Sequence, residues 1–193
     1  MLSRLKSTAT VALFAATVAA GAAAIATLVA SPAASAAAGP VANQLDNNTT
    51  APEFTGIDKW LNSDPLTMQQ LRGKVVLVDF WTYTCINCIH VLPYVKTWNQ
   101  KYKDRGLAVV GVHTPEYPFE RSTDNVKTAI KRFGITFPVA QDNNYATWRA
   151  YDNQYWPAFY LVDKKGHVAY THFGEGDYEQ TEAKIKALLA ENP

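Results

Sequence analysis

The chain has 193 residues, a formal charge of +1, 48% apolar and 18% charged residues, and only two cysteines. Two cysteines are too few for a disulfide scaffold, and a chain of this length does not need a covalent staple. No basic run, repeat or low-complexity segment follows the N-terminal part, so nothing marks a surface for nucleic acid or anionic membrane.

Residues 1–38 carry Arg4 and Lys6 but no acid, and residues 7–30 hold no charge at all. Pro32 and the small residues of "SPAASAAAGP" follow, with Ala-x-Ala steps at Ala34–Ala36 and Ala36–Ala38. This layout is that of a secretory signal peptide. At about 1.5 Å per residue the apolar stretch is also long enough to cross a bilayer as a helix. Cleavage and an uncleaved N-terminal anchor therefore both stay open, and either places the protein outside the cytoplasm, in the periplasm or cell envelope. No cysteine follows the apolar run, which excludes a lipid-modified N-terminal cysteine. Removing residues 1–38 changes the formal charge from +1 to −1. Residues 39–53 are polar and read as a disordered linker, leaving residues 54–193 as one domain.

In chain order, "VVLVDFW" (75–81) is an apolar, β-branched and aromatic run that suits a buried central strand. A helix is predicted from Cys88 to Lys103, where Ile89, Leu92, Val95, Trp98 and Tyr102 recur at three- and four-residue steps. Pro93 predicts a kink in it and Gly106 its C-terminal stop. "LAVVGVH" is a second buried strand, and "STDNVKTAIKRFG" a capped amphipathic helix. "FPVAQD" reads as extended and "NNYATWRAYD" as a short helix. "AFYLVD" and "HVAYTHF" form a hairpin about Lys164-Lys165-Gly166, and "YEQTEAKIKALLAEN" is a final helix. The order β-α-β-α, hairpin, α predicts an α/β fold: a mixed sheet with one parallel crossover and an antiparallel pair, covered by helices.

Both cysteines lie in "FWTYTCINCIH", where the first strand gives way to the helix. A helix N-terminus offers free N–H groups and partial positive charge, both of which favour a thiolate at Cys85. One turn on, Cys88 is placed to attack a mixed disulfide formed on Cys85. This is the redox reading of C-x-x-C. Asp79, inside the apolar strand, is expected to be buried with a raised pKa and to take the Cys88 proton through a water; a solvent-facing strand-end aspartate is the plainer alternative. Pro157 in "YWPAFYLVD" is either a cis proline or an ordinary trans proline at a strand start.

D-F-W-x-x-x-C-x-x-C, Pro93 eight residues after Cys85, and Pro157 before the hairpin together resemble the thioredoxin fold. More closely, "FWTYTCINCIHVLPY", "GVHTPEYPFE", "DNNYATWRAYDNQYWPAFYLVD" and "THFGEGDYEQTE" resemble the thioredoxin-like domain of DipZ-type thiol:disulfide interchange proteins. These are relatives of the TlpA and ResA group, and the resemblance covers about residues 54–190. It implies Cys85 as the attacking thiol, Cys88 as the resolving thiol and Asp79 as the buried acid. It also implies that Pro157 is the cis-proline facing the dithiol, with the Trp156 backbone available to pair with a substrate strand. Trp81 and Tyr83 precede the dithiol and are expected to wall it, whereas Trp148 is expected in the core. The active group is then a redox-active Cys85–Cys88 disulfide, with no cofactor and no metal. DipZ-type domains are fused to a membrane electron conductor; no such spans occur here, so a separate membrane donor is expected, with protein thiols and disulfides as partners.

Other readings fit less well. A c-type haem tether needs C-x-x-C-H, and His90 falls one residue late. A metal site using His90 or His113 lacks finger-like spacing. Thr82-Tyr83-Thr84-Cys85 satisfies T-x-x-C of a peroxiredoxin-like thiol peroxidase, but Val78 replaces the upstream proline of that motif. A non-catalytic interaction module has no need of both cysteines. His90 is either a surface residue of the helix or a neighbour tuning the dithiol. His113, Glu116 and Tyr117 either line a specificity surface or belong to a packed loop.

Overall fold

The computed structural model describes residues 49–192. The leader of residues 1–38 and most of the linker lie outside them.

A six-stranded sheet runs in the order β1-β4-β3-β2-β5-β6. Its strands are β1 (Lys59–Leu61), β2 (Val75–Trp81), β3 (Leu107–His113), β4 (Val139–Gln141), β5 (Ala158–Val162) and β6 (Val168–Phe173). The β2–β3 and β3–β4 pairs are parallel, and β1–β4, β2–β5 and β5–β6 are antiparallel. The helices are α1 (Ile86–Tyr102), α2 (Thr123–Phe133), α3 (Ala146–Ala150) and α4 (Tyr178–Ala190).

Alternation along the central strand β2 feeds two cores, because successive side chains leave opposite faces of a strand. Val75, Leu77 and Trp81 pack with Val91, Val95 and Trp98 of α1 and Ile185 of α4. Val76, Val78 and Phe80 pack on the other face with Met68, Trp148, Tyr151 and Tyr160. Every residue of β2 is buried, which explains why its sequence is continuously apolar except for Asp79. By parity Asp79 shares the α1 face. Gly111, its partner on β3, makes room on that face: a Cβ there would lie 2.9 Å from Trp81 Nε1.

Two local expectations change. α1 starts at Ile86, two residues before the apolar pattern does, and holds Pro93 inside it. The C-terminal stop is as expected: Gly106, with φ 101°, follows a single 3-10 turn. The short edge strand β1 has no alternating pattern to announce it. Residues 49–53, assigned to the linker, are packed instead. Val168 donates its N–H to the Thr49 carbonyl, and Ala51 donates to Gly166. Tyr151 Oη–H reaches the Pro52 carbonyl, and the Glu53 carboxylate accepts the N–H groups of Met68 and Gln69. Backbone pairing of this kind needs no apolar sequence, so composition alone reads it as tether.

Candidate active site

The site forms where β2 hands over to α1. Beyond Trp81 the chain turns through Thr82–Thr84, with the Cys85 N–H 3.4 Å from the Thr82 carbonyl. Cys85 then occupies the N-cap of α1, a place usually taken by Ser, Thr, Asp or Asn. Its sulfur does the work of a capping oxygen, accepting the Cys88 N–H at 3.2 Å. Both thiols are free; Cys85 is half-buried and Cys88 is buried.

This placement separates the two thiols electrostatically. The Cys85 thiol is lowered to about 7, first by the Cys88 thiol hydrogen bond and further by the N–H groups of Cys88 and Asn87, against opposition from burial and Glu116. Cys88 is pushed far up by burial, by its thiol donating to Cys85, and by the charge that Cys85 carries. One cysteine is therefore an accessible thiolate near neutrality, and the other a covered, protonated thiol.

Asp79 is 2% exposed, and its Oδ1 has no hydrogen-bond partner. Burial first, and then the Cys85 charge, raise its carboxyl to about 8. The solvent-facing alternative for Asp79 does not occur. The Trp156–Pro157 peptide bond is cis. Trp156 Nε1 donates to the Thr114 carbonyl at 3.0 Å, and its ring lies 4.1 Å from that of Trp148, which is in the core as expected.

The two aromatics before the dithiol part company. Tyr83 is partly exposed, stacks on His113 at 5.6 Å, and donates its hydroxyl to the Phe119 carbonyl. Trp81 is 4% exposed and meets His113 edge-on at 5.3 Å. It supports the site from beneath and presents almost no surface to a docking chain. His113 is wholly buried, with Nε2 3.3 Å from Thr82 Oγ1. Burial lowers it to about 4, so it stands neutral and outside any exposed surface. His90 is exposed on α1 and pairs with Glu175 at 3.1 Å, which is the surface role. Among the described residues no group of three or more His, Cys, Asp or Glu is placed to hold a metal ion.

One buried residue beside the site escapes sequence reasoning. Glu120 is fully buried beside the dithiol turn. Its Oε1 accepts from the Thr84 N–H (3.3 Å) and hydroxyl (2.5 Å), and Oε2 from the N–H groups of Glu116 (2.6 Å) and Tyr117 (2.9 Å). Burial alone would raise this carboxyl, but the hydrogen bonds from Thr84, Thr82, Tyr117 and Glu116 hold it below its ordinary value. The available signal was Tyr117-Pro118-Phe119-Glu120: proline at the first position of a helical turn with Glu at the third is a capping-box pattern.

Several apolar side chains are exposed: Ile86 follows Cys85, the stacked pair Tyr117 and Phe119 stands beside Tyr83, and Tyr155, which meets Phe173, precedes Trp156.

Comparison with known proteins matches residues 46–189 to the family model described as Redoxin. The chain is 54% identical over 151 residues to Protein DipZ of Mycobacterium tuberculosis, covering 77% of this chain but only 22% of DipZ. It is 34% identical over 141 residues to the thiol-disulfide oxidoreductase YkuV of Bacillus subtilis, covering 72% of this chain and 94% of YkuV. The solution structure of a thioredoxin-like protein in its oxidised form superposes with a TM-score of 0.70 at 32% identity, covering 77% of this chain and all of that one.

Proposed function

The chain belongs to the Redoxin family and is a thioredoxin-like thiol:disulfide oxidoreductase, and from that premise we propose that it is exported and reduces protein disulfides in the cell envelope through Cys85 and Cys88. The observation that carries this reading is the asymmetry of the pair: a capped, half-exposed Cys85 at about 7 over a buried, protonated Cys88.

The Cys85 thiolate attacks one sulfur of a substrate disulfide. A mixed disulfide forms on Cys85, and the other substrate sulfur leaves as a thiolate. That step removes the negative charge from Cys85, one of the two causes that keep Asp79 protonated. Asp79 then ionises more readily, at the moment when a base is needed. It accepts the Cys88 proton through a water, and Cys88 attacks Cys85 and expels the second substrate thiol. Two electrons have passed to the substrate, leaving the Cys85–Cys88 disulfide. No other cofactor takes part, and a thiol donor must restore the pair. By analogy with the DipZ-type fusion, that donor is membrane-borne and acts in trans.

The reducing direction is supported by the modest stabilisation of the Cys85 thiolate. A value near 7 matches reducing thioredoxins, whereas strong oxidants depress the attacking thiol to about 3.5. Ile86 and Asn87, between the cysteines, supply no cation to lower it further. The exposed apolar side chains of Ile86, Tyr117 and Phe119 near the dithiol turn suit polypeptide substrates, and by the family resemblance Trp156 and Pro157 offer a backbone edge for them. Residues 1–38, as leader or anchor, account for export.

Trapping tests the assignment. Cys88→Ser is expected to accumulate substrate proteins disulfide-linked to Cys85, and Cys85→Ser to trap none and to reduce nothing. Wild-type turnover in both variants would remove the mechanism.

A further inference from the structure

The buried carboxylate of Glu120 is a poor fit to an ordinary loop contact, because its two oxygens serve different segments. Oε1 holds Thr84, the residue immediately before Cys85, by both its N–H and its hydroxyl. Oε2 holds the N–H groups of Glu116 and Tyr117. We propose that Glu120 is a positioning residue for the dithiol: it fixes Thr84, and through Thr84 the start of α1, so that Cys85 Sγ keeps the Cys88 N–H.

The chemistry favours a carboxylate here over any neutral side chain. Five donors converge on one group, the Thr82 hydroxyl among them, and an ionised carboxyl accepts at both oxygens. Glutamine offers one acceptor and turns an NH2 toward the other pair of donors, so it must release either Thr84 or the 116–117 turn. Asp in the same place is one methylene too short to span both. Charge-assisted hydrogen bonds of this kind are the strong ones, and the carboxylate that accepts them is wholly buried although Thr84, Glu116 and Tyr117 lie at the surface. Thr84 has little else to hold it: the turn before Cys85 is otherwise closed by the 3.4 Å contact from the Cys85 N–H to Thr82. Thr82 belongs to the same cluster, hydrogen-bonded to Glu120 as well as facing His113 Nε2, so the carboxylate ties the β2–α1 turn to the segment after β3 from both ends.

The proposal rests on Cys85 being the attacking thiol, and its test does not require disulfide exchange. The reduced full chain is alkylated with iodoacetamide across pH, and adduct on Cys85 is followed by mass spectrometry; Cys88, covered and protonated, stays unreacted. Thr84→Val removes one arm of the clamp while keeping its shape, and Glu120→Gln removes two donors' acceptor. Both are expected to move the midpoint of the Cys85 profile upward from near 7 by roughly one unit, about the worth of one charge-assisted hydrogen bond. The double variant is expected to shift by less than the sum of the two single shifts, because the Thr84 arm is common to both. If Glu120→Gln does not fold, Thr84→Val decides. A folded Thr84→Val with the wild-type midpoint overturns the proposal and leaves Glu120 as a loop anchor. A chain that alkylates as expected but reduces no protein disulfide would instead defeat the functional reading.

Discussion

Replacing Asp79 by Asn is expected to stabilise the reduced protein, and by an amount that depends on pH. The Asp79 carboxyl sits at about 8 in the folded protein against an ordinary 3.8. Between these values the unfolded chain has given up the proton and the folded chain keeps it. The unfolded state then binds fewer protons, so stability falls as pH rises from about 4 to about 8. At pH 7 roughly three units of that interval have been crossed, which at about 1.4 kcal/mol per unit costs on the order of 4 kcal/mol. Asparagine is neutral throughout and removes this slope. Its amide has unmet hydrogen bonds of its own, as Asp79 Oδ1 does, but that offset is constant with pH. Urea unfolding of the wild type and Asp79→Asn, both kept reduced, at pH 4.5, 6, 7 and 8 reads the effect directly. The variant's advantage is expected to grow with each step and level off above 8. An advantage that is flat across pH, or a variant less stable at pH 7 than at pH 4.5 relative to wild type, would refute the burial argument.

Three further outcomes are expected. Glu116 opposes ionisation of Cys85, so Glu116→Gln lowers the midpoint of Cys85 alkylation below its wild-type value near 7; an unmoved midpoint would mean that solvent screens that charge. In stopped-flow reduction of a model protein disulfide, Asp79→Asn slows release of the mixed disulfide more than its formation, and equal slowing of both steps would remove its role as base. Gly111→Ala drives a Cβ to 2.9 Å from Trp81 Nε1 and 3.1 Å from Phe137, and is expected to cost about 1–3 kcal/mol; an unchanged thermal midpoint would show that Trp81 yields without strain.

Sequence carried furthest where a residue type conflicts with its surroundings. A single aspartate in a seven-residue apolar strand had few places to go, and period-two alternation put it on the face that α1 covers. The two cysteines were legible from their position between strand and helix. The start of α1 was placed late because the apolar pattern begins at Cys88, whereas the cap is a cysteine sulfur that cap statistics do not favour. Trp81 could not be told from Tyr83 by sequence proximity to the dithiol. Strand parity sends Trp81 into the α1 core, while Tyr83 lies beyond the strand and reaches the surface. Glu120 was hidden for a different reason: the Tyr117–Glu120 capping pattern announces a helical turn, but the partner Thr84 is 36 residues away and the pattern says nothing of burial. The packing of residues 49–53 depends on backbone groups offered by the hairpin turn, which composition does not show.

The central claim is that Cys85 and Cys88 form a reducing dithiol, and the reduction potential of that pair tests it most directly. Equilibrating the protein against a series of dithiothreitol redox buffers and counting free thiols gives the value. A potential near about −270 mV, where thioredoxin lies, is the result the account requires. A potential near roughly −120 mV, that of a strong oxidant, would contradict it and make the protein a disulfide donor.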